Sequence, residues 1–236
     1  MNESYNKKDL WENASAPLVF LLPGGTGTKR PEMKGFDAMA AMFWLKGYSA
    51  YVFATSGQDG LPGEYCMQNF LREAQATLQA LVAKLNPSCI VLFGSCAGGA
   101  IAGHLAARTD RSAILALWES PLHYTDSDVA VFVERTGQSM PLAGNFTKTL
   151  VHLDSVIGQI KCPVLIVYGP PVPPKSAVFR HEDILKTESS LKLLQPHQVE
   201  KIFLPGTDHN LTRGTDVKSL KFLVGAVCGF VRRHRS

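Results

Sequence analysis

No stretch of this chain is apolar over the roughly twenty consecutive residues that a bilayer crossing needs, so a membrane-spanning helix is excluded. Paired cysteines are missing too. The five present, at 66, 89, 96, 162 and 228, are odd in number and scattered, with no CxxC pair and no Cys/His metal spacing. That argues against a disulfide framework and against a structural zinc site, and no metal or cofactor is expected. Charge is sparse: 24 Lys and Arg against 20 Asp and Glu leave a net charge of +4. The one basic cluster, Arg232-Arg233-His234-Arg235, has no aromatic residues interleaved with it, so nucleic-acid binding is not expected. It reads as a frayed, solvated terminus. Linkers rich in Ser and Gly, charge blocks and internal repeats are also absent, which leaves 1–236 as a single domain. The first eight residues are polar and lack the apolar core of a secretory signal, so the expected location is cytoplasmic, with no membrane partner.

What the chain does have is a recurrence of short runs rich in Val, Ile, Leu and Phe, separated by helix-like stretches. This is the signature of an α/β fold with a mostly parallel, open sheet flanked by helices. Strands are expected at 18–22, 49–54, 90–93, 114–118, 164–168 and 201–204. Helices are expected at 36–46, stopped by Gly47, at 65–85, stopped by Asn86-Pro87, at 98–108 and at 217–231. The segment 122–160 is longer than a simple crossover; a small cap after the strand ending at Trp118, or an ordinary helix with long loops, both fit it.

The most informative stretch runs from Cys89 to Ala100, an apolar strand entering Gly94-Ser95-Cys96-Ala97-Gly98 and then a helix of small residues. It fits the elbow pattern G-x-Nu-x-G, in which small flanking residues permit a strained turn that lifts one side chain above the sheet. Cys96 is the lifted residue. Centring the motif on Ser95 would require glycines at Phe93 and Ala97, so the frame selects the cysteine.

In open α/β sheets, ligands bind beyond the carboxyl ends of the strands. The first of the expected strands ends in Pro23-Gly24-Gly25-Thr26-Gly27, a loop whose amides can face a developing oxyanion beside the N–H of Ala97. The last ends in Pro205-Gly206-Thr207-Asp208-His209, where a histidine can swing over the elbow as general base. A free thiol is only a few per cent thiolate near neutral pH, and an adjacent imidazole raises that fraction. The other histidines, 104, 123, 152, 181, 197 and 234, are weaker candidates, most of them explained by surface residence. A third group should orient the imidazole. The strand 164–168 leads into prolines, whereas 114–118 ends directly in Glu119, which is the candidate acid; Asp126, Asp128, Glu182 and Asp183 are substitutes, and Asp208 ranks last beside His209.

With elbow, glycine loop and terminal histidine in the order nucleophile, acid, histidine, the chain resembles the α/β-hydrolase superfamily over nearly its whole length. Within it, a cysteine nucleophile looks like dienelactone hydrolases on one side and, on the other, like cysteine-dependent thioesterases and aminoacyl transferases of peptide and polyketide synthases. Dienelactone hydrolases usually carry an aspartate where this chain has prolines after 164–168. Synthase thioesterases often place the acid one strand earlier, where Glu119 stands. The resemblance therefore implies acyl transfer from a carrier-protein or pantetheine thioester through a Cys96 acyl-enzyme, with a Cys96-His209-Glu119 triad and an oxyanion hole from Ala97 with Gly25 or Thr26. The alternatives are a small ester or lactone hydrolase of the dienelactone type and a non-catalytic binding protein on a hydrolase scaffold.

Overall fold

The computed structural model describes residues 10–13, 15–24, 34–58, 61–63, 65–118, 120, 151–168, 194, 199–204 and 217–235. Their strands are β1 (Leu10–Trp11), β2 (Leu18–Leu22), β3 (Ser49–Val52), β4 (Ile90–Ser95), β5 (Ala113–Trp118), β6 (Val164–Tyr168) and β7 (Val199–Phe203). They form one sheet in the order β1-β3-β2-β4-β5-β6-β7. All pairs from β3 to β7 are parallel, and only β1 runs antiparallel, against β3. The helices are α1 (Lys34–Leu45), α2 (Met67–Leu85), α3 (Ala97–Arg108) and α4 (Val217–His234).

The near-continuous apolar runs of β2, β4, β5 and β6 are buried at every position, as strands covered on both faces must be. One face carries α2 and α3, with Phe20, Tyr51, Phe53 and Phe70 among its core residues. The other carries α1 and α4, with Phe43, Trp118 and Phe230. Alternate strand residues feed the two cores, so successive residues Val19 and Phe20 belong to opposite layers.

Helix ends follow from their sequences. At Gly47, φ is +85°, and the Gly47 and Tyr48 amides donate to the carbonyls of Trp44 (2.9 Å) and Phe43 (3.1 Å), closing α1 in the left-handed turn that glycine favours. The sulfur of Cys66 caps α2 by accepting from the Asn69 amide at 3.3 Å, and Asn86, also left-handed, ends that helix before Pro87.

Several expectations need correction. Strand β1 was not expected; two half-buried residues on a sheet edge carry no readable alternation. β3 stops two residues short of 54, while β4 continues through Ser95 to the elbow itself. β7 spans Val199–Phe203 rather than 201–204, and α3 begins one residue before 98. The basic tail is not frayed. Arg232, Arg233 and His234 form the last turn of α4, where positive charge meets the negative end of the helix dipole. Arg233 donates to both carboxylate oxygens of Glu200 at 2.7 Å, and Arg235 donates to Ser88 Oγ at 2.7 Å. Of the segment 122–160, residues 151–160 are described. They carry a short 3₁₀ turn, Ile157–Gln159, and their apolar residues join the α2/α3 core.

Candidate active site

Strand β4, central in the sheet, runs into α3 through a single residue, Cys96. Its backbone sits at φ 51°, ψ −126°, a conformation an L-residue adopts only at a cost of about 1–3 kcal/mol and only when its surroundings enforce it. The enforcement is visible. The Cys96 amide donates to the Trp118 carbonyl at 3.2 Å, tying the turn to neighbouring β5, and the Gly99 amide donates to the Cys96 carbonyl at 3.0 Å, starting α3. Ser120 Oγ lies 3.1 Å from the Gly94 carbonyl and 3.2 Å from that of Trp118, so its proton serves the same junction. Although Cys96 stands at the N-terminal end of α3, its thiol caps none of the helix amides. Positive potential from that helix end acts on whatever charge develops there.

The glycines are required by approach distances. A Cβ on Gly24 would stand 2.5 Å from Cys96 Cβ and 2.8 Å from the Ala97 nitrogen, so only a bare backbone lets the loop after β2 lie against the turn. A Cβ on Gly98 would run into the Leu22 carbonyl oxygen. These two contacts bring the end of β2, the elbow and the first turn of α3 into one backbone cluster.

The loop after β3 is tied to α2. Glu73 on α2 accepts from Thr55 Oγ1 at 2.6 Å, from the Ser56 amide at 2.8 Å and from Ser56 Oγ at 2.7 Å. Partial burial alone would raise the Glu73 pKa. The Thr55 and Ser56 hydrogen bonds, helped by Arg72, outweigh it and hold the carboxyl below its usual value, so the clamp stays ionised. The loop it secures leads to Tyr65, buried against Phe70 with ring centroids 6.2 Å apart.

On the elbow helix α3, His104 is buried rather than surface-exposed, at 8% relative accessibility. Its Nε2 lies 3.0 Å from the His152 carbonyl, which defines Nε2 as the protonated nitrogen, and Ser155 Oγ donates to the same carbonyl at 2.7 Å. Among the described residues, its Nδ1 has no hydrogen-bond partner. Burial lowers the His104 pKa; Arg108 and the His152 ring lower it further, against the opposing bond to His152. Below about pH 6.5 the unfolded chain takes up a proton at this histidine before the folded protein does, so stability is full above that pH and falls below it. Thermal melts should therefore drop between about pH 6.5 and pH 5 more steeply in the wild type than in His104→Gln, which keeps a donor but does not titrate. Parallel slopes for the two proteins would exclude this assignment.

Of the candidate residues, the described part of the protein contains Cys96 and Ala97, which it joins to Gly24. His209, Glu119, Gly25 and Thr26 lie outside the described residues, as do the substitute acids Asp126, Asp128, Glu182, Asp183 and Asp208. Ser120 was not anticipated; its bond to the Gly94 carbonyl runs between different elements, which no local motif encodes. Among the described residues, no group of three or more His, Cys, Asp or Glu side chains is placed to hold a metal ion, and no helix is long and apolar enough to cross a membrane. No disulfide joins the five cysteines.

No family model matches the chain, and no curated protein matches it. Solved structures do. An esterase of Pyrococcus furiosus superposes with a TM-score of 0.73 at 16% identity, covering 95% of this chain and 85% of that one. An alpha/beta hydrolase enzyme from a lagoon-sediment metagenome gives 0.62 at 15%, covering 95% and 94%. The thioesterase domain from the curacin biosynthetic pathway gives 0.61 at 15%, covering 93% of each. A parallel sheet with a single antiparallel edge strand, a strained elbow on its central strand and these superpositions lead to one conclusion: the chain has the α/β-hydrolase fold.

Proposed function

We propose that this protein is an acyl-transfer enzyme acting on thioester or ester carbonyls through a covalent Cys96 acyl-enzyme. The observation that carries the reading is the Cys96 turn, held at positive φ at the end of the central strand with the Gly24 backbone packed against it. Strain of that kind persists where the surroundings over-determine it, and here it presents a nucleophilic atom at the ligand-binding edge of the sheet.

In the proposed reaction His209 takes the thiol proton, and the Cys96 thiolate adds to the carbonyl carbon as the carbonyl π electrons move onto oxygen. Amides of Ala97 and of Gly25 or Thr26 hold that oxyanion. Collapse re-forms the carbonyl and breaks the bond to the leaving thiol or alcohol, which takes the proton back from the His209 imidazolium. Glu119 orients His209 and stabilises its charged form. No cofactor enters the reaction. Reach supports the roles assigned to the residues outside the described set. Glu119 follows β5, the immediate neighbour of β4, and Trp118 and Ser120 on either side of it both bond to the elbow strand. β7 lies three strands from β4, about 14 Å away, and the six chain steps from Phe203 to His209 extend to about 20 Å.

Cysteine suits transfer in particular. Attack on a thioester forms another thioester, a nearly isoenergetic exchange that keeps the acyl group activated for an amine, an alcohol or a second thiol. Serine would form an oxygen ester and lose part of that activation. The fold shared with a biosynthetic thioesterase domain is in keeping with a thioester as donor. The similar esterases are in keeping with hydrolysis of a small ester as the second reading, with a lactone as its cyclic form.

Intact-protein mass spectrometry after incubation with acyl-pantetheine thioesters, acyl-carrier proteins and small esters tests the proposal. A mass increase equal to one acyl group, localised to Cys96, is the expected result. The acceptor that discharges it, water or an added thiol or amine, separates hydrolysis from transfer. A protein that turns substrate over with no trace of acyl-cysteine, even on rapid acid quench, would overturn it.

A further inference from the structure

Strand β4 and the first turn of α3 meet through bare backbone. A Cβ on Gly94 would stand 2.5 Å from both the Gly98 carbonyl oxygen and Gly99 Cα, so glycine at 94 lets the strand end and the helix start close on each other around Cys96. The same bareness gives Gly94 and Gly99 no side chain with which to hold that contact, while Cys96 between them sits at a strained φ of 51°.

Ser120 supplies a hold from the neighbouring strand. The paired residues of β4 and β5 end at Ser95 and Trp118. Two residues beyond Trp118, the half-buried Ser120 side chain returns to that end. Its Oγ, with one proton to donate, lies 3.1 Å from the Gly94 carbonyl and 3.2 Å from the Trp118 carbonyl, which also accepts the Cys96 amide. The same side chain lies over the helix start: a Cβ on Gly99 would run into Ser120 Oγ and Cβ. Glycine at 99 thus leaves the slot that Ser120 fills, and one serine touches the end of β4, the end of β5 and the first turn of α3.

From this arrangement we infer that Ser120 is a positioning residue for the Cys96 reaction: its hydroxyl latches the elbow so that the thiol and the Ala97 amide keep the geometry that carbonyl addition needs. The inference rests on Cys96 being the nucleophile. Ala97 follows Cys96 and opens α3, two residues before the Gly99 against which Ser120 packs. Any drift of the helix start relative to β4 therefore moves that amide away from the oxygen of a carbonyl under attack at Cys96. Oxyanion donors act over about 3 Å, and a displacement of about 1 Å can cost as much as a hundredfold in rate. Ser120 acts through Gly94 and Gly99 rather than on the reacting atoms.

Two reagents aimed at the same sulfur separate positioning from access. Iodoacetamide alkylates Cys96 by displacing iodide at a saturated carbon, with the thiol proton passing to solvent, and no oxyanion forms. The ester p-nitrophenyl acetate acetylates it through an oxyanion: a sulfur–carbon bond forms, the bond to p-nitrophenoxide breaks, and the leaving group takes up the thiol proton. Both adducts are read by mass on the Cys96 peptide. Ser120→Ala removes one oxygen and keeps the Cβ beside Gly99, so it should leave alkylation near the wild-type rate and slow acetylation about tenfold. Ser120→Thr keeps the hydroxyl and should hold both rates near wild type. Hydrogen exchange of the amides from 94 to 99 should run about fivefold faster in Ser120→Ala, the loss of one net hydrogen bond. Alkylation and acetylation slowed by the same factor would mean a loosened elbow with no special part in carbonyl addition, and unchanged exchange would mean no latch. Either result overturns the inference, as does Ser120→Thr falling with Ser120→Ala; should Ser120→Ala not fold, Ser120→Thr decides. A wild type that is alkylated but never acetylated at Cys96 speaks against the acyl-enzyme instead, and hydrogen exchange then decides for or against the latch.

Discussion

Cys96→Ala should eliminate the acyl adduct and lower turnover on any accepted substrate by about 10⁴-fold or more, since members of a nucleophile-base unit act together and loss of the nucleophile removes the whole covalent route. The fold should survive. Alanine carries a Cβ as cysteine does, so the turn at φ 51° is neither relieved nor further strained, and the amide bond to Trp118 involves no side chain. Residual activity would report what the Ala97 amide and the helix end contribute to the oxyanion without covalent help. Cys96→Ser is the informative partner. It should retain a slower adduct, because a hydroxyl must lose a proton far less acidic than a thiol's and the product is an oxygen ester. Full turnover by Cys96→Ala would sink the acyl-cysteine mechanism and direct attention to a binding role for the scaffold.

Gly98→Ala should be the most damaging single-methyl change within the described residues of the elbow. Alanine in place of glycine inside a helix ordinarily stabilises by about 1 kcal/mol. Here the new Cβ meets the Leu22 carbonyl oxygen and would stand 2.7 Å from its carbon, with the Pro23 carbonyl carbon at 3.2 Å. None of these atoms is the end of a flexible side chain, so either β2 or α3 must move. Overpacking against rigid backbone costs about 1–3 kcal/mol and more where nothing yields. A net loss of about 3 kcal/mol is expected from chemical denaturation. Activity should fall further than stability alone explains, because Leu22 and Pro23 lead directly into Gly24, whose backbone lies against the turn. Gly225→Ala in α4 is the control: its Cβ meets nothing within 4 Å, so it should be neutral or stabilising. Equal denaturation midpoints for the two variants would show that the β2–α3 approach is looser than these distances require.

How much of this was legible in the sequence varies element by element. The inner strands were readable because covering by helices on both faces leaves only apolar residues tolerable, and β2 and β6 begin and end where the apolar runs do. At one edge of the sheet, β7 mixes half-buried and exposed positions and so lacks a continuous run to bound it, which is why its expected limits were shifted. The basic tail looked like a loose end because charge patterning does not reveal a partner such as Glu200, thirty-three residues earlier in the chain. His104 looked like a surface residue because its neighbours on α3 are small. Those small neighbours are also what let residues 151–160 pack down on the helix, with Leu153 filling the space beside Gly103.

The sequence by itself determined the local conformations. Glycine at 94 and 98 permits the turn that lifts Cys96, Gly47 and Asn86 stop their helices, and continuous apolar runs impose a buried parallel sheet. Each of these is a matter of sterics or solvation within a few residues. Which distant residues meet at the Cys96 turn was decided only by the tertiary structure. Crossovers order the strands β1-β3-β2-β4-β5-β6-β7, and that order sets Gly24 and Ser120 around one strand end. Those meetings depend on two layers of helices packing against both faces of the sheet at once, a many-body condition that no short-range pattern along the chain expresses.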